Sequence, residues 1–155
     1  KPGSTCDVPV ISYDHVPTLL AATQTALKQD QVVDGESLLP LLGGTDTLAR
    51  EAIYWHYPHY HPGSATPYSA IREGDWKLIY FHEDSHVELY NLKLDAGEVD
   101  NRAPFDSVRA LQLRDKLMAW LKDTGAQIPE RNLKYDPDKP LNEPRKPGAG
   151  KKKAK

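Results

Sequence analysis

One cysteine, one methionine and no long apolar run are what this 155-residue chain has least of. The lone Cys6 excludes an intrachain disulfide and a cysteine-built zinc site, and it leaves the redox compartment open. No stretch of about 18 consecutive apolar residues occurs, so no transmembrane helix is expected. No signal peptide is visible either, since the opening KPGSTCDVPV has no apolar core. That opening also has no initiator Met and starts on a Pro-Gly turn. A piece of a longer chain is the expectation, and a missing leader then says nothing about location.

Charge is unevenly spread. The last eleven residues, RKPGAGKKKAK, hold Arg145, Lys146, Lys151, Lys152, Lys153 and Lys155 and no acid. With those six set aside from the twenty basic residues, positions 1–144 carry fourteen against twenty-two acidic ones, a charge of -8. The body is therefore acidic and not expected to bind nucleic acid generally. The tail 139–155 is read as a basic, flexible, solubilising segment, with contact to nucleic acid or anionic lipid as the other option.

The rest fits one domain with a modest core. Thirteen prolines predict long irregular stretches. VPVIS (8–12) suits a short strand end. SYDHVPTLLAATQTALK (12–28) reads as a helix with Asp14 as N-cap, Pro17 in the first turn and Leu19, Leu20 and Leu27 on its apolar face. A short helical piece over Ser37–Leu42 stops at Gly43-Gly44. After Arg50 the period changes. AIYWHY (52–57), PYSAIR (67–72), WKLIYF (76–81) and VELYNL (87–92) are rich in β-branched and aromatic residues and separated by hairpin-length turns. WKLIYF is apolar on both faces, as a central covered strand would be. DSVRALQLRDKLMAWLKDTG then gives a helix with Ala110, Leu113, Leu117, Trp120 and Leu121 on one stripe, Asp106 or Ser107 as cap, and Gly125 at its end. The predicted fold is α+β: a four-stranded antiparallel sheet with a packed C-terminal helix. From Ile128 on, the proline-rich segment is expected to wrap the surface or be disordered.

The segment YWHYPHYHPGS (54–64) places His56, His59 and His61 close together and invites a zinc assignment. Geometry argues against it. Pro58 interrupts any helical face, and in an extended chain His59 and His61 share a face while His56 points the other way. Two readings stay open: packing at a strand end, or a polar pocket wall of imidazoles and phenols donating to an anionic or sugar-like ligand. Arg72 is either a solvated hairpin end or a fork for sulfate, phosphate or carboxylate. DAGEVDN (95–101) lacks the spacing of a calcium loop and reads as a polar turn. The residues alone offer no complete catalytic set.

Taken in order, DHVPTLLAA, DGESLLPLLGG, REAIYWHYPHYH, SAIREGDWKLIYF, VELYNLKLDAGEVDN and LRDKLMAWLKDTGAQIP resemble the C-terminal part of a type I, formylglycine-dependent sulfatase of the alkaline-phosphatase superfamily. Arylsulfatases and N-acetylgalactosamine-6-sulfatases are the most similar in wording. The resemblance covers residues 1–138. It implies that 1–50 is the helical end of the large α/β sulfatase domain and that 51–138 is the sheet-plus-helix subdomain. The family nucleophile is a formylglycine made from C/S-x-P-x-R. Cys6 lies in CDVPV, with Pro9 three positions on and no following Arg, so it is not that site. The family's calcium ligands and its sulfate-contacting Lys and His lie upstream. The resemblance therefore implies a part that closes and lines the substrate side of the active site through His56, Tyr57, His59, His61 and Arg72, without its own nucleophile or metal ligands. Calcium is expected only in the full-length enzyme. The implied partners are the upstream sulfatase domain and a sulfated small molecule or glycan, and the location is periplasmic or secreted if the parent follows the family. The alternatives are a non-catalytic module binding sulfated glycans and a piece of a related phosphodiesterase.

Overall fold

The computed structural model describes residues 3–61 and 66–136. The basic tail 139–155 and positions 62–65 of the His-rich loop lie outside them. Two compact units divide the chain, Lys1–Ile53 and Tyr54–Lys155.

The first unit is built around a carboxylate. A 3₁₀ turn at Ser12–Asp14 leads into helix α1 (His15–Ala22), and α2 (Leu39–Leu42) follows a long loop. Among the described positions before Glu51, Asp14 alone is buried. Its Oδ2 accepts the Ile11 amide at 2.9 Å and its Oδ1 the Glu36 amide at 3.1 Å. The Arg50 fork grips both oxygens, with Nη2 at 2.7 Å from Oδ2 and 2.9 Å from the Pro9 carbonyl. Thr18 adds a second stitch: its hydroxyl donates to the Asp14 carbonyl at 2.6 Å and accepts the Leu38 amide at 2.9 Å. Gly35 lies so close to Tyr13 that a Cβ would sit 2.3 Å from its carbonyl oxygen. A Gly35→Ala change is therefore expected to push the 34–36 turn off Asp14, and faster exchange of the Glu36 amide would register it.

Two expectations are corrected here. The segment 8–12 is not a strand. Ile11 is extended, but its amide is taken by Asp14 and not by a neighbouring strand. The helix begun near Asp14 ends at Ala22, not Lys28. Thr25 N bonds the Leu20 carbonyl at 2.9 Å and Gln24 N the Ala21 carbonyl at 3.3 Å, with Gln24 at φ 53°. That is a Schellman end with glutamine where glycine is usual. Leu27 thus falls outside the helix, and Leu19 is exposed. The same bond pattern closes α2 at Gly44 and the last helix at Gly125, both with positive φ.

The second unit carries the sheet. Strands β1 (Ala52–Tyr57), β2 (Tyr68–Glu73), β3 (Trp76–Phe81) and β4 (Val87–Asn91) lie in the order β1-β2-β3-β4. β2–β3 and β3–β4 pair antiparallel. Register aligns Ile71, Leu78 and Leu89 in one row, all fully buried. Helix α3 (Ser107–Asp123) packs on β2, β3 and β4 and buries Ala110, Leu113, Leu117 and Leu121. Asp106 caps it by accepting the Arg109 amide at 3.2 Å. Trp120 lies flat on Tyr54, with ring centroids 4.7 Å apart. Arg109 covers Trp76 at 4.5 Å. The outer margin of β4 is occupied: the Leu89 amide donates to the Asn101 side chain at 3.0 Å, and its carbonyl accepts the Arg102 amide at 2.7 Å.

Candidate functional site

Strand alternation sorts the side chains at the end of β1 onto two faces. His56 points to the α3 side. Its Nδ1 is 2.8 Å from the Ser69 hydroxyl and its Nε2 is 3.0 Å from the Gln127 carbonyl, just beyond α3. The Ser69 hydroxyl, with no exposed surface, is also 2.8 Å from Nε2 of His82. Burial holds His82 below its usual pKa, and the neighbouring His56 adds to this.

Tyr57 takes the opposite face. Its ring meets Tyr68 at 5.8 Å, His59 edge-on at 5.6 Å and His61 at 6.4 Å. His59 and His61 are exposed and Tyr57 is half-buried. The three histidines that crowd the sequence therefore do not converge. Among the described residues no group of three or more His, Cys, Asp or Glu is set to hold a metal ion.

Arg72 shares the Tyr57–Tyr68 face but not its end. It stands four residues beyond Tyr68, about 13 Å along the strand, and its Nε donates to the Gly74 carbonyl at 3.3 Å. A cleft of about 360 Å³ bridges the gap, lined among others by Trp55, Tyr68, Arg72, Lys77 and Glu98. Lys77 is half-buried and holds both Glu98 oxygens, at 2.7 and 2.8 Å. The acidic turn after β4 serves itself: one Asp95 oxygen accepts the Val99 and Asp100 amides, both at 2.8 Å. With Asp95 and Glu98 so engaged, this turn does not fit a calcium site.

Three polar residues were not singled out by sequence. Ser69 and His82 complete the run from His56. Glu83, buried on the turn after β3, accepts the Tyr60 hydroxyl and the Asn132 amide, the latter at 3.3 Å. Asn132 Nδ2 reaches Tyr60 at 3.0 Å. The segment after Ile128 thus wraps onto the sheet end at that point. No local pattern announces these pairs, which span 13 to 72 positions.

Over residues 1–127 the sequence matches the family described as N-sulphoglucosamine sulphohydrolase, C-terminal. The chain belongs to this family. As a sulfatase C-terminal portion it is 32% identical over 143 residues to an N-acetylglucosamine-6-O-sulfatase of Bacteroides thetaiotaomicron, covering 89% of this chain and 24% of that protein. It is 32% identical over 126 residues to a sulfatase of Formosa agariphila, covering 72% and 23%. A solved structure of a protein in complex with its substrate D-glucosamine-2-N,6-O-disulfate matches with TM-score 0.54 and 33% identity, covering 72% of this chain and 23% of that one. The sulfatase portion described here spans about a quarter of the length of these relatives. Its sheet-plus-helix architecture is the α+β arrangement read from the sequence.

Proposed function

We propose that this portion forms the substrate-side wall of a sulfatase that hydrolyses a sulfated sugar. The observation that carries the reading is the cluster of half-buried Tyr57 with exposed His59 and His61 on the sheet face away from α3, continuous through Tyr68 with the Trp55–Arg72–Lys77 cleft. Aromatic rings suit sugar faces, and imidazole, phenol and guanidinium donors suit sulfate oxygens. The 32% identity to an N-acetylglucosamine-6-O-sulfatase supports a sulfated amino sugar as the ligand class.

In this proposal the nucleophile and the calcium belong to the upstream sulfatase domain, with which the first unit would be continuous. Tyr57, His59 and His61 bind the sugar sulfate, and Arg72 contacts a more distant group. His56, on the other face, is tied through both ring nitrogens to Ser69 and the Gln127 carbonyl. The related phosphodiesterase reading is kept as an assay arm.

In the full-length protein, His59→Ala and His61→Ala are each expected to raise KM for a 6-O-sulfated glucosamine about ten-fold, the loss of roughly one hydrogen bond to a charged group. The kcat should change little, since the interaction exists in ground and transition states alike. Steady-state kinetics on the sulfated sugar and on an aryl phosphodiester check this. Unchanged KM and kcat in both variants would leave the cluster as packing only, and faster turnover of the phosphodiester would move the reading to that class.

A further inference from the structure

The run Gln127–His56–Ser69–His82 has hydrogens that donor and acceptor rules alone can place. A backbone carbonyl only accepts, so His56 Nε2, 3.0 Å from it, carries hydrogen. In a neutral imidazole the other nitrogen is then bare, and Nδ1 accepts from the Ser69 hydroxyl at 2.8 Å. The Ser69 oxygen in turn accepts from Nε2–H of His82 at 2.8 Å. All hydrogens point one way, from His82 toward the Gln127 carbonyl.

One extra proton fits this run. On His82 it disturbs nothing. On His56 it reverses the middle: Nδ1–H donates to Ser69, and Ser69 donates to His82, whose own hydrogen moves to Nδ1. Two extra protons do not fit. Both rings then donate to Ser69, and its own O–H is left fully buried with no acceptor. Two cations would also stand with ring centroids 5.8 Å apart.

Among the described residues no counter-charge is bonded to the pair. His82 meets the Tyr80 ring edge-on at 5.1 Å. On the helix side, Trp120 is stacked on Tyr54. Glu83, next in sequence to His82, is taken by Tyr60 and Asn132, and Asp84 by His86. No carboxylate among the described residues bonds either ring of the pair. The depressed pKa of His82 agrees with a site that resists charging.

We infer that Ser69 and His82 are positioning residues for the end of β1: from its Nδ1 side they hold the His56 ring whose Nε2–H grips the Gln127 carbonyl, and this junction at Ser69 opens when the pair takes a second proton. The Ser69 hydroxyl ties β1, β2 and the turn after β3, and His56 extends the run to the segment after α3. One consequence rests on the substrate-wall reading: Tyr57 is next to His56 and His59 lies three positions on, so KM should track the state of this tie.

Histidine ¹⁵N NMR on the full-length protein tests the tie without any substrate. At about pH 8 both His56 and His82 are expected as Nε2–H tautomers. On acidification protons should enter the pair in two separate steps, the second opposed by the first. Ser69→Thr keeps the hydroxyl and should keep this signature. Ser69→Ala should abolish it and raise KM for the sulfated sugar several-fold. Should Ser69→Ala fail to fold, His82→Gln serves: its amide still donates to Ser69, so His56 should keep its tautomer while the coupled second step vanishes. An Nδ1–H tautomer at His56 would overturn the inference, as would a Ser69→Ala spectrum matching the wild type. A signature that Ser69→Ala removes while KM stays put would support the tie and overturn the wall.

Discussion

Asp14→Ala is expected to release the first unit from its fold, at a cost of about 3 kcal/mol. Removing one partner of a buried ion pair costs roughly 3–5 kcal/mol, because the other charge is left without compensation. The low end applies because Arg50 keeps 14% of its side chain exposed and part of its hydration, while Asp14 has none. Four attachments go together: the Ile11 and Glu36 amides and the two arms of Arg50. Among the described residues of this unit Ile53 is the one buried apolar side chain, so packing cannot compensate. Amide exchange should accelerate at Ile11 and Glu36, and the 24–35 loop should become a protease target. Exchange rates equal to wild type at both amides would refute the prediction. Arg50→Lys should fall between, since an ammonium cannot span both oxygens and the Pro9 carbonyl.

The same carboxylate sets an acid limit. Burial alone would raise the Asp14 pKa. The Arg50 hydrogen bond, the Ile11 and Glu36 amides and the Arg50 charge together overturn that, and the group lies below the ordinary 3.8. A depressed folded pKa means that the unfolded chain binds the proton first. The contribution is therefore complete above the unfolded value and is lost as pH falls through the folded one. Asp14→Asn should abolish this acid dependence along with the stability.

Leu117→Ala carries the other large effect, about 2–5 kcal/mol on the second unit. Leu117 is fully buried, on the helix that covers the Ile71–Leu78–Leu89 row. Truncation removes three carbons from a contact that α3 and the sheet cannot both relax to fill. Val108, on the exposed side of the same helix, is the control: Val108→Ala should change stability by less than about 0.5 kcal/mol. Urea titration followed by tryptophan fluorescence would compare them, with Trp76 and Trp120 both against α3 or on it. Equal midpoints for the two variants would mean that α3 is not what seals the sheet.

How far the sequence reached depends on whether the signal was local. β1 and β3 carry their boundaries in their own alternation, while β2 is shifted by one residue at both ends and β4 is one residue shorter than the reading. The end of α3 was visible because Gly125 suits a left-handed position. The end of α1 was not, because Gln24 takes the same position without glycine's signature. The divergence of His56 from His59 and His61 followed from strand geometry. Its partners did not: Ser69 and His82 each lie thirteen residues along the run, and only strand pairing brings them together. The Asp14–Arg50 tie, 36 positions apart, is of the same kind. Arg72 was grouped with the histidines by residue type, and its distance along β2 appears only once register is known.

The occupied margin of β4 bears on how this portion behaves when handled by itself. A sheet edge is a template for strand addition, and isolated edge strands often lead to aggregation. On the β4 side a newcomer would first have to displace both the Asn101 side chain and the Arg102 amide from Leu89. Asn101→Ala would free the Leu89 amide, so that single change should make the protein more prone to self-associate through its sheet while leaving the core row beneath it intact.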